Sequence, residues 1–410
     1  MKFAHLADCH IGGWPDPKLK ELSIKAFEKA IDICIKEKTA FILISGDLFN
    51  TAIPSIDLIR ETAKILNRAR EKDITIYIIP GSHDFSPSGK TMLDVFEKAG
   101  LCINAFKLEN DKLKLIEDKT GVKITGIYGR RGGLEVKDYE RIDMSEVEKE
   151  SGFKIFMLHS AVGIDKETME NEFAEREKRI AELLPKNFNY YAAGHLHKVI
   201  KKEFGNGLLV YPGPLFPNNF KELEEIKNGG FFLLNFKDNK LYPEYIPIKI
   251  KDVVSFKIDA NSKTPRDVEE ELLKMFEEAD LKDKIVTIRI EGELISGKPS
   301  DINFRDIFSK FKDAYFIMKN TAKLTTKELS KIKKKEYSTA KDIEDSLIKD
   351  YIKKAEGFES YKKIELIRAL MQGFNMEKAE GELKKDFERR IYETIEKIVP
   401  EILKNDTEEH

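Results

Sequence analysis

FILISGDLFN, residues 41–50, sets the apolar run Phe41–Ser45 directly before Gly46 and Asp47. A short apolar run bounded by turn residues reads as a buried strand, and glycine lets the chain turn sharply enough to aim the next side chain into a crowded space. The arrangement recurs. KFAHLA (2–7) precedes Asp8 and His10, and ITIYII (74–79) precedes Pro80, Gly81, Ser82, His83 and Asp84. KIFML runs into His159, and YYAA precedes Gly194, His195 and His197. Residues 17–38, 55–72 and 90–99 read as helices, with further strand patterns at 121–128, 153–159, 188–194, 207–211 and 230–235. Alternating strands and helices indicate a layered α/β domain, and the close spacing of the later strands indicates mixed sheets.

At 410 residues the chain exceeds one ordinary domain. The text changes near residue 250, giving a first domain over 1–249. VVSFKID (253–259), a helix at 265–279, KIVTIRIEG (284–292), a helix at 303–311 and AYFIM (314–318) then form a compact α+β unit, residues 250–318. Residues 319–335 carry seven lysines against one acid, Glu328, and read as a basic linker extending to about 340. Residues 341–404 have helical periodicity, with breaks at Gly357 and Gly373.

Charged residues make up 35% of the chain, but the net charge is only −2, so any nucleic-acid surface must be a local basic patch. Cys9, Cys34 and Cys102 form no spaced pair, which argues against a disulfide framework or a cysteine zinc site and for a cytoplasmic setting. The N-terminus lacks the apolar core of a signal peptide, and no run reaches the length of a membrane span.

The chain has seven histidines, and five of them (His10, His83, His159, His195, His197) follow an apolar strand. Strand ends of α/β sheets are where ligand sites form, and imidazole with carboxylate suits manganese, iron, zinc or nickel. In extended chain Asp8 and His10 point to the same side, and the two oxygens of Asp47 let it bridge two metals. One histidine at a strand end is more often a hydrogen-bonded core or surface group, and one acid there is often a helix cap. Five such stations in order outweigh that explanation. His5 reads as a packing residue, and Cys9 points away from its neighbouring ligands.

DCH, GD, GSHD, H and GHLH resemble the motifs of calcineurin-like metallophosphoesterases, and their order, GDLFN and the helical tail resemble the SbcD/Mre-type nucleases of double-strand-break repair. The resemblance implies an α-β-β-α sandwich, a smaller α+β capping domain and a C-terminal helical tail. It implies two divalent metals, manganese first among them: Asp8, His10, Asp47 and His197 would hold one, and Asp47, Ser82, His159 and His195 the other. His83 would protonate or stabilise the leaving oxygen and Asp84 would orient the site. Ser82 departs from the family, which has Asn there; the shorter hydroxyl is a poorer ligand. The resemblance also implies a homodimer through the helices near 55–72 and 90–99, with Leu58, Ile59 and Met92 as contacts, and an SMC-like ABC ATPase docked on the C-terminal helices.

The site alone does not choose a substrate. Arg130 and Arg131 in YGRRGG, Lys198, Lys201, Lys202 and the basic arm favour the DNA backbone, although in so charged a chain each is equally a solvated face. Trp14, the single tryptophan, reads as a loop anchor more readily than as a base-stacking residue. Three readings stand: a manganese-dependent DNA nuclease working with an ATPase, a phosphoesterase of small phosphodiesters or phosphoproteins, and a weakly active DNA-binding scaffold.

Overall fold

Phe41–Ser45 is a strand buried at every position. Its odd residues, Phe41 and Leu43, share a core with Phe3, Tyr77, Ile155, Met157 and Tyr190, whereas Ile42 and Ile44 pack with Leu22, Phe27, Ala30 and Ile65 of the flanking helices. Successive side chains of a strand point to opposite faces, so an unbroken apolar run marks a strand covered on both sides, here by a second sheet and by helices. The computed structural model describes residues 1–85, 89–165, 174–327, 367, 370–371 and 384–404. Two compact units span Met1–Thr326 and Lys327–His410.

One six-stranded sheet runs, edge to edge, Lys240–Ile248, Gly229–Lys237, Lys2–Leu6, Phe41–Ser45, Thr75–Ile79 and Ile103–Asn104. The last four are mutually parallel and the first two antiparallel. The other runs Ile200–Phe204, Gly207–Tyr211, Tyr190–Gly194, Lys154–His159, Lys123–Ile127 and Ile116–Glu117. Their inner faces meet over the stacked Phe3 and Phe41 rings, 4.9 Å apart, and over Tyr190. Helices Pro17–Lys36 and Ile56–Arg70 pack outside the first sheet, and Tyr139, Ile180 and Leu184 cover the second. This is an α-β-β-α sandwich with mixed sheets. The parallel strands of both sheets point their C-terminal ends the same way, so their exit loops share one rim.

Val253–Asp259, Ile285–Leu294 and Phe316–Asn320 form a separate parallel sheet, with Leu324–Thr326 also paired to the central strand. Helices Pro265–Glu278 and Phe304–Lys310 supply its own core, in which Val268, Leu272 and Phe276 meet Ile258, Ile288 and Ile290. Thr264 and Asp267 close a capping box at the first helix. The first residues of the stretch expected as a basic linker from 319 lie in strands, Phe316–Asn320 and Leu324–Thr326. Lys319 lies inside a strand with its ammonium 3.6 Å from the Phe304 ring centroid, and Leu324 is buried in the core. A lysine-rich stretch still forms a strand when its apolar positions meet a core and its lysine stems lie along apolar surface. The rest of the arm and most of the helical segment 341–404 lie outside the described residues; Lys384–Lys404 is a helix. Among the described residues no helix is long and apolar enough to cross a membrane.

Candidate metal centre

The rim collects side chains from five strand exits. Asp8 and His10 leave the first strand in left-handed conformations, φ 49° and 41°, not in the extended chain expected of them. His10 donates its backbone N–H to the Asp47 carbonyl at 2.9 Å, and Asp8 donates to that of Gly46 at 3.2 Å, so this exit runs beside the next one. Asp47 and His195 are left-handed as well, φ 51° and 90°. Non-glycine residues held there cost about 1–3 kcal/mol each and cluster at functional sites. Of the three glycines before the candidate ligands only Gly46 needs positive φ, at +85°. Gly81 and Gly194 supply room instead: a Cβ on Gly81 would collide with the Asp47 carboxylate, and one on Gly194 with the Ser45 carbonyl.

Asp8, His10, Asp47 and His159 are buried, and four of the five histidines converge with the two carboxylates. Asp8, His10 and His197 form one triad of ligand atoms, Asp8, Asp47 and His159 a second, and His10, Asp47 and His83 a third, each with its atoms within 4.8 Å of one another. His10 Nε2 lies 3.1 Å from His197 Nε2 and 3.7 Å from Asp47 Oδ2. His159 Nε2 lies 3.1 Å from Asp47 Oδ2 and 3.9 Å from Asp8 Oδ1, and His197 Nε2 is 3.7 Å from Asp8 Oδ1.

The imidazoles are oriented from behind. His159 Nδ1 donates to the Ser45 carbonyl at 2.8 Å, His197 Nδ1 to the Glu222 carboxylate at 2.8 Å, and His83 Nδ1 to the Asn50 carbonyl at 2.9 Å. In the neutral ring each then turns its Nε2 lone pair toward the gap, as metal-ligating histidines do. His159 Nε2 is buried without an aligned hydrogen bond although a carboxylate stands beside it. Imidazole nitrogens and carboxylate oxygens gathered this closely suit a divalent cation, and the donor set fits it.

Burial pulls His10 down to about 3, leaving it neutral and able to ligate. Burial pulls His159 down too, but Asp47 beside it outweighs that and holds it up at about 10, and the same pairing keeps Asp47 well below the usual carboxylate range. Burial raises Asp8, and burial with the nearby Asp47 charge raises Asp84 to about 7.

His195 stands at the same place by its backbone: its N–H donates to both Asp8 oxygens, at 3.0 and 3.1 Å, and its ring lies 5.4 Å from that of His159. Ser82 Oγ is 3.4 Å from Asp47 Oδ2. The His83 N–H donates to Asp47 Oδ1 at 2.8 Å, and its ring sits edge-on to His10 at 5.0 Å. Asp84 accepts from the backbone N–H groups of Gly81, Leu48 and Phe49, tying two exit loops together.

Glu222, which no strand-end pattern marks, grips His197 from the helix Phe220–Glu225 and also accepts from the N–H of Asn218. Its signal is spatial, since in sequence it stands in the charge run KELEE. His5 does pack between the sheets, bridging the Tyr190 hydroxyl and Ser45 Oγ. Trp14 is an anchor, its indole N–H donating to the Pro217 carbonyl at 2.8 Å. Among the basic residues, Arg130 pairs with Asp138 and lies over Tyr128, Arg131 donates to the Ser82 carbonyl at 3.1 Å, Lys202 pairs with Asp165, and Lys198 is exposed.

Residues 1–199 match the model of the calcineurin-like phosphoesterase family. Residues 1–199 are a calcineurin-like phosphoesterase domain. A protein of Archaeoglobus fulgidus named DNA double-strand break repair protein Mre11 is 26% identical over 317 residues, covering 71% of this chain and 68% of the relative. A Methanocaldococcus jannaschii protein of the same name is 28% identical over 287 residues, covering 62% of this chain and 71% of its own. An uncharacterized metallophosphoesterase of Bacillus subtilis, YhaO, is 25% identical over 256 residues, 60% of each chain. The phosphoesterase is thus a metal-dependent hydrolase of phosphate esters that uses divalent cations.

Proposed function

We propose that this phosphoesterase is a manganese-dependent DNA nuclease of double-strand-break repair, acting as exonuclease and endonuclease with an SMC-like ABC ATPase on its C-terminal helices. The observation that carries the proposal is the buried Asp47, which stands between two groups of converging ligand atoms; the archaeal relatives named as break-repair proteins support the substrate.

In this reading Asp8, His10, Asp47 and His197 hold one cation, and Asp47, Ser82, His159 and His195 the other. Two divalent cations held there would polarise a phosphate ester and lower the pKa of a water. Asp47 Oδ2 faces both His10 and His159, and Glu222 would hold His197 in the ligating tautomer. His83, with Nδ1 donating to the Asn50 carbonyl, would deliver a proton to the leaving oxygen from Nε2 as the imidazolium. Asp84 fixes the loops that carry Asp47 and His83. Arg130, Arg131 and Lys198 meet the strand's phosphates beside the site. Self-association would use the helices Ile56–Arg70 and Met92–Lys98; Leu58, Ile59 and Met92, the contacts expected there, are partly buried against the core, and Ile56 and Val95 within the helices and Ile53 before them are exposed.

Linear duplex and hairpin DNA incubated with manganese test this. The wild type is expected to degrade both, and Asp47→Asn to slow the reaction on the order of a thousandfold or more. Turnover of bis-p-nitrophenyl phosphate with DNA left intact would replace this reading with that of a small-phosphodiester enzyme, for which the similarity to YhaO speaks.

A further inference from the structure

Phe85, Phe106 and Tyr128, which follow three of the sandwich strands, are not used by the metal centre. A cavity of about 710 Å³ opens beside it, walled by Pro80, Phe85, Phe106 and Tyr128. Phe106 and Phe85 stand edge-on to Tyr128, with ring centroids 4.7 and 5.3 Å from it. Arg130 lies over the same ring at 5.2 Å. Phe85 and Phe106 are only half-buried and so offer ring surface to the cavity.

We propose that this cavity holds the nucleobase of the nucleotide whose phosphate lies at the metal centre. The proposal rests on the phosphodiester-cleaving reading above and names where the base next to the reacting phosphate goes.

Position is the first argument. Three of the four walls adjoin residues that border the metal centre. Pro80 precedes Gly81, where a Cβ would strike Asp47; Tyr128 precedes Gly129, where one would strike His159; Phe85 follows Asp84. The Pro80 carbonyl accepts the Gly129 N–H at 3.0 Å, which joins the two walls. The cavity therefore borders the metal centre.

Chemistry is the second. Bases stack on aromatic rings whatever their sequence, because every base has a π face. Two groups that can read a base edge also line the cavity. Asn104 uses its side-chain carbonyl on the Phe106 N–H, and its amide N–H₂ has no partner among the described residues; Asp94 spends one carboxylate oxygen on Thr91 and keeps the other exposed. Arg131 stands at the same cavity with its Nε on the Ser82 carbonyl, and its two terminal nitrogens have no partner among the described residues, so they are free for a phosphate. Aromatic walls, one donor, one acceptor and a guanidinium between the cavity and the metal centre match a nucleotide. A sugar lacks the π face, and a lipid chain would leave Asn104 and Asp94 unused.

The base can belong to a DNA strand or to a free nucleotide, and binding to the full chain kept metal-free with chelator separates these sources. The probes are a short single-stranded thymidine oligonucleotide, the same oligonucleotide with abasic terminal positions, and thymidine 5′-monophosphate. The intact strand is expected to bind about tenfold more tightly than the abasic one. Phe106→Ala and, independently, Phe85→Leu should erase that difference while leaving the abasic strand's affinity and the circular dichroism unchanged. Preference in the oligonucleotide places the base in a strand; binding of the mononucleotide alone places it in a free nucleotide. Equal affinities for intact and abasic strands with no mononucleotide binding overturn the proposal, and so does a preference that survives both substitutions. Cleavage is scored separately with manganese. Base preference without DNA cleavage sinks the nuclease reading and keeps the cavity, whereas cleavage without base preference does the reverse.

Discussion

At the sandwich rim the left-handed backbone falls on Asp8, His10, Asp47 and His195, the residues that carry chemistry. In the sheet of residues 253–326 it falls on Ser262, Asp283, Gly292 and Gly297, which lie outside the helices and carry no candidate role. The rim also buries three carboxylates, Asp8, Asp47 and Asp84, while the core of the smaller sheet is aliphatic and aromatic. Buried charges and strained φ angles both cost stability unless partners offset them. The same chain thus contains a region whose local and global preferences agree and one that departs from them where a cation would supply the missing partner.

Substitutions should separate the two regions, from a large effect on catalysis to almost none. His83→Gln keeps the backbone N–H bond to Asp47 but loses the imidazole. Turnover should fall by about a hundredfold to ten-thousandfold, with manganese content by mass spectrometry unchanged. Loss of metal along with activity would make His83 a ligand instead. Glu222→Gln removes the carboxylate behind His197 and should weaken manganese binding about ten- to a hundredfold in calorimetric titrations, with the fold intact by circular dichroism. An unchanged titration would reduce Glu222 to a helix-cap partner of Asn219.

Because His159 holds a proton beside Asp47 when no metal is present, metal binding should release protons. The sign follows from the raised value: affinity should fall as pH drops below about 10 and this site keeps its proton more firmly. Calorimetry in buffers of different ionisation enthalpy measures the release. A heat independent of the buffer would contradict it. Phe276→Ala, in the smaller sheet's core, should cost about 3–5 kcal/mol of stability in denaturant titrations. Activity per folded molecule should stay within about twofold. A large catalytic loss there would mean that the two regions are coupled.

The comparison also explains what could be read beforehand. FILIS and KIFML were legible because a strand covered on both faces needs an apolar residue at every position. Ile200–Phe204 and Lys240–Ile248 were not, because they are edge strands whose lysines and prolines, Pro243 and Pro247 among them, erase that pattern. The histidines at the strand ends announced themselves by position. Glu222 and the Asn50 carbonyl act through contacts between distant segments, 25 and 33 residues from the histidines they hold, and no local spacing encodes those. Asp8 and His10 depart from extended geometry for a related reason: the pairing of their exit with the Gly46–Leu48 segment, not strand periodicity, turns them together.

The central claim is that Asp47 stands between two cations. Anomalous scattering from crystals soaked in manganese measures this directly. Two peaks, one beside His10 and His197 and the other beside His159, each in contact with Asp47, are the expected result. A single peak, or a rim without any at saturating manganese, would contradict it.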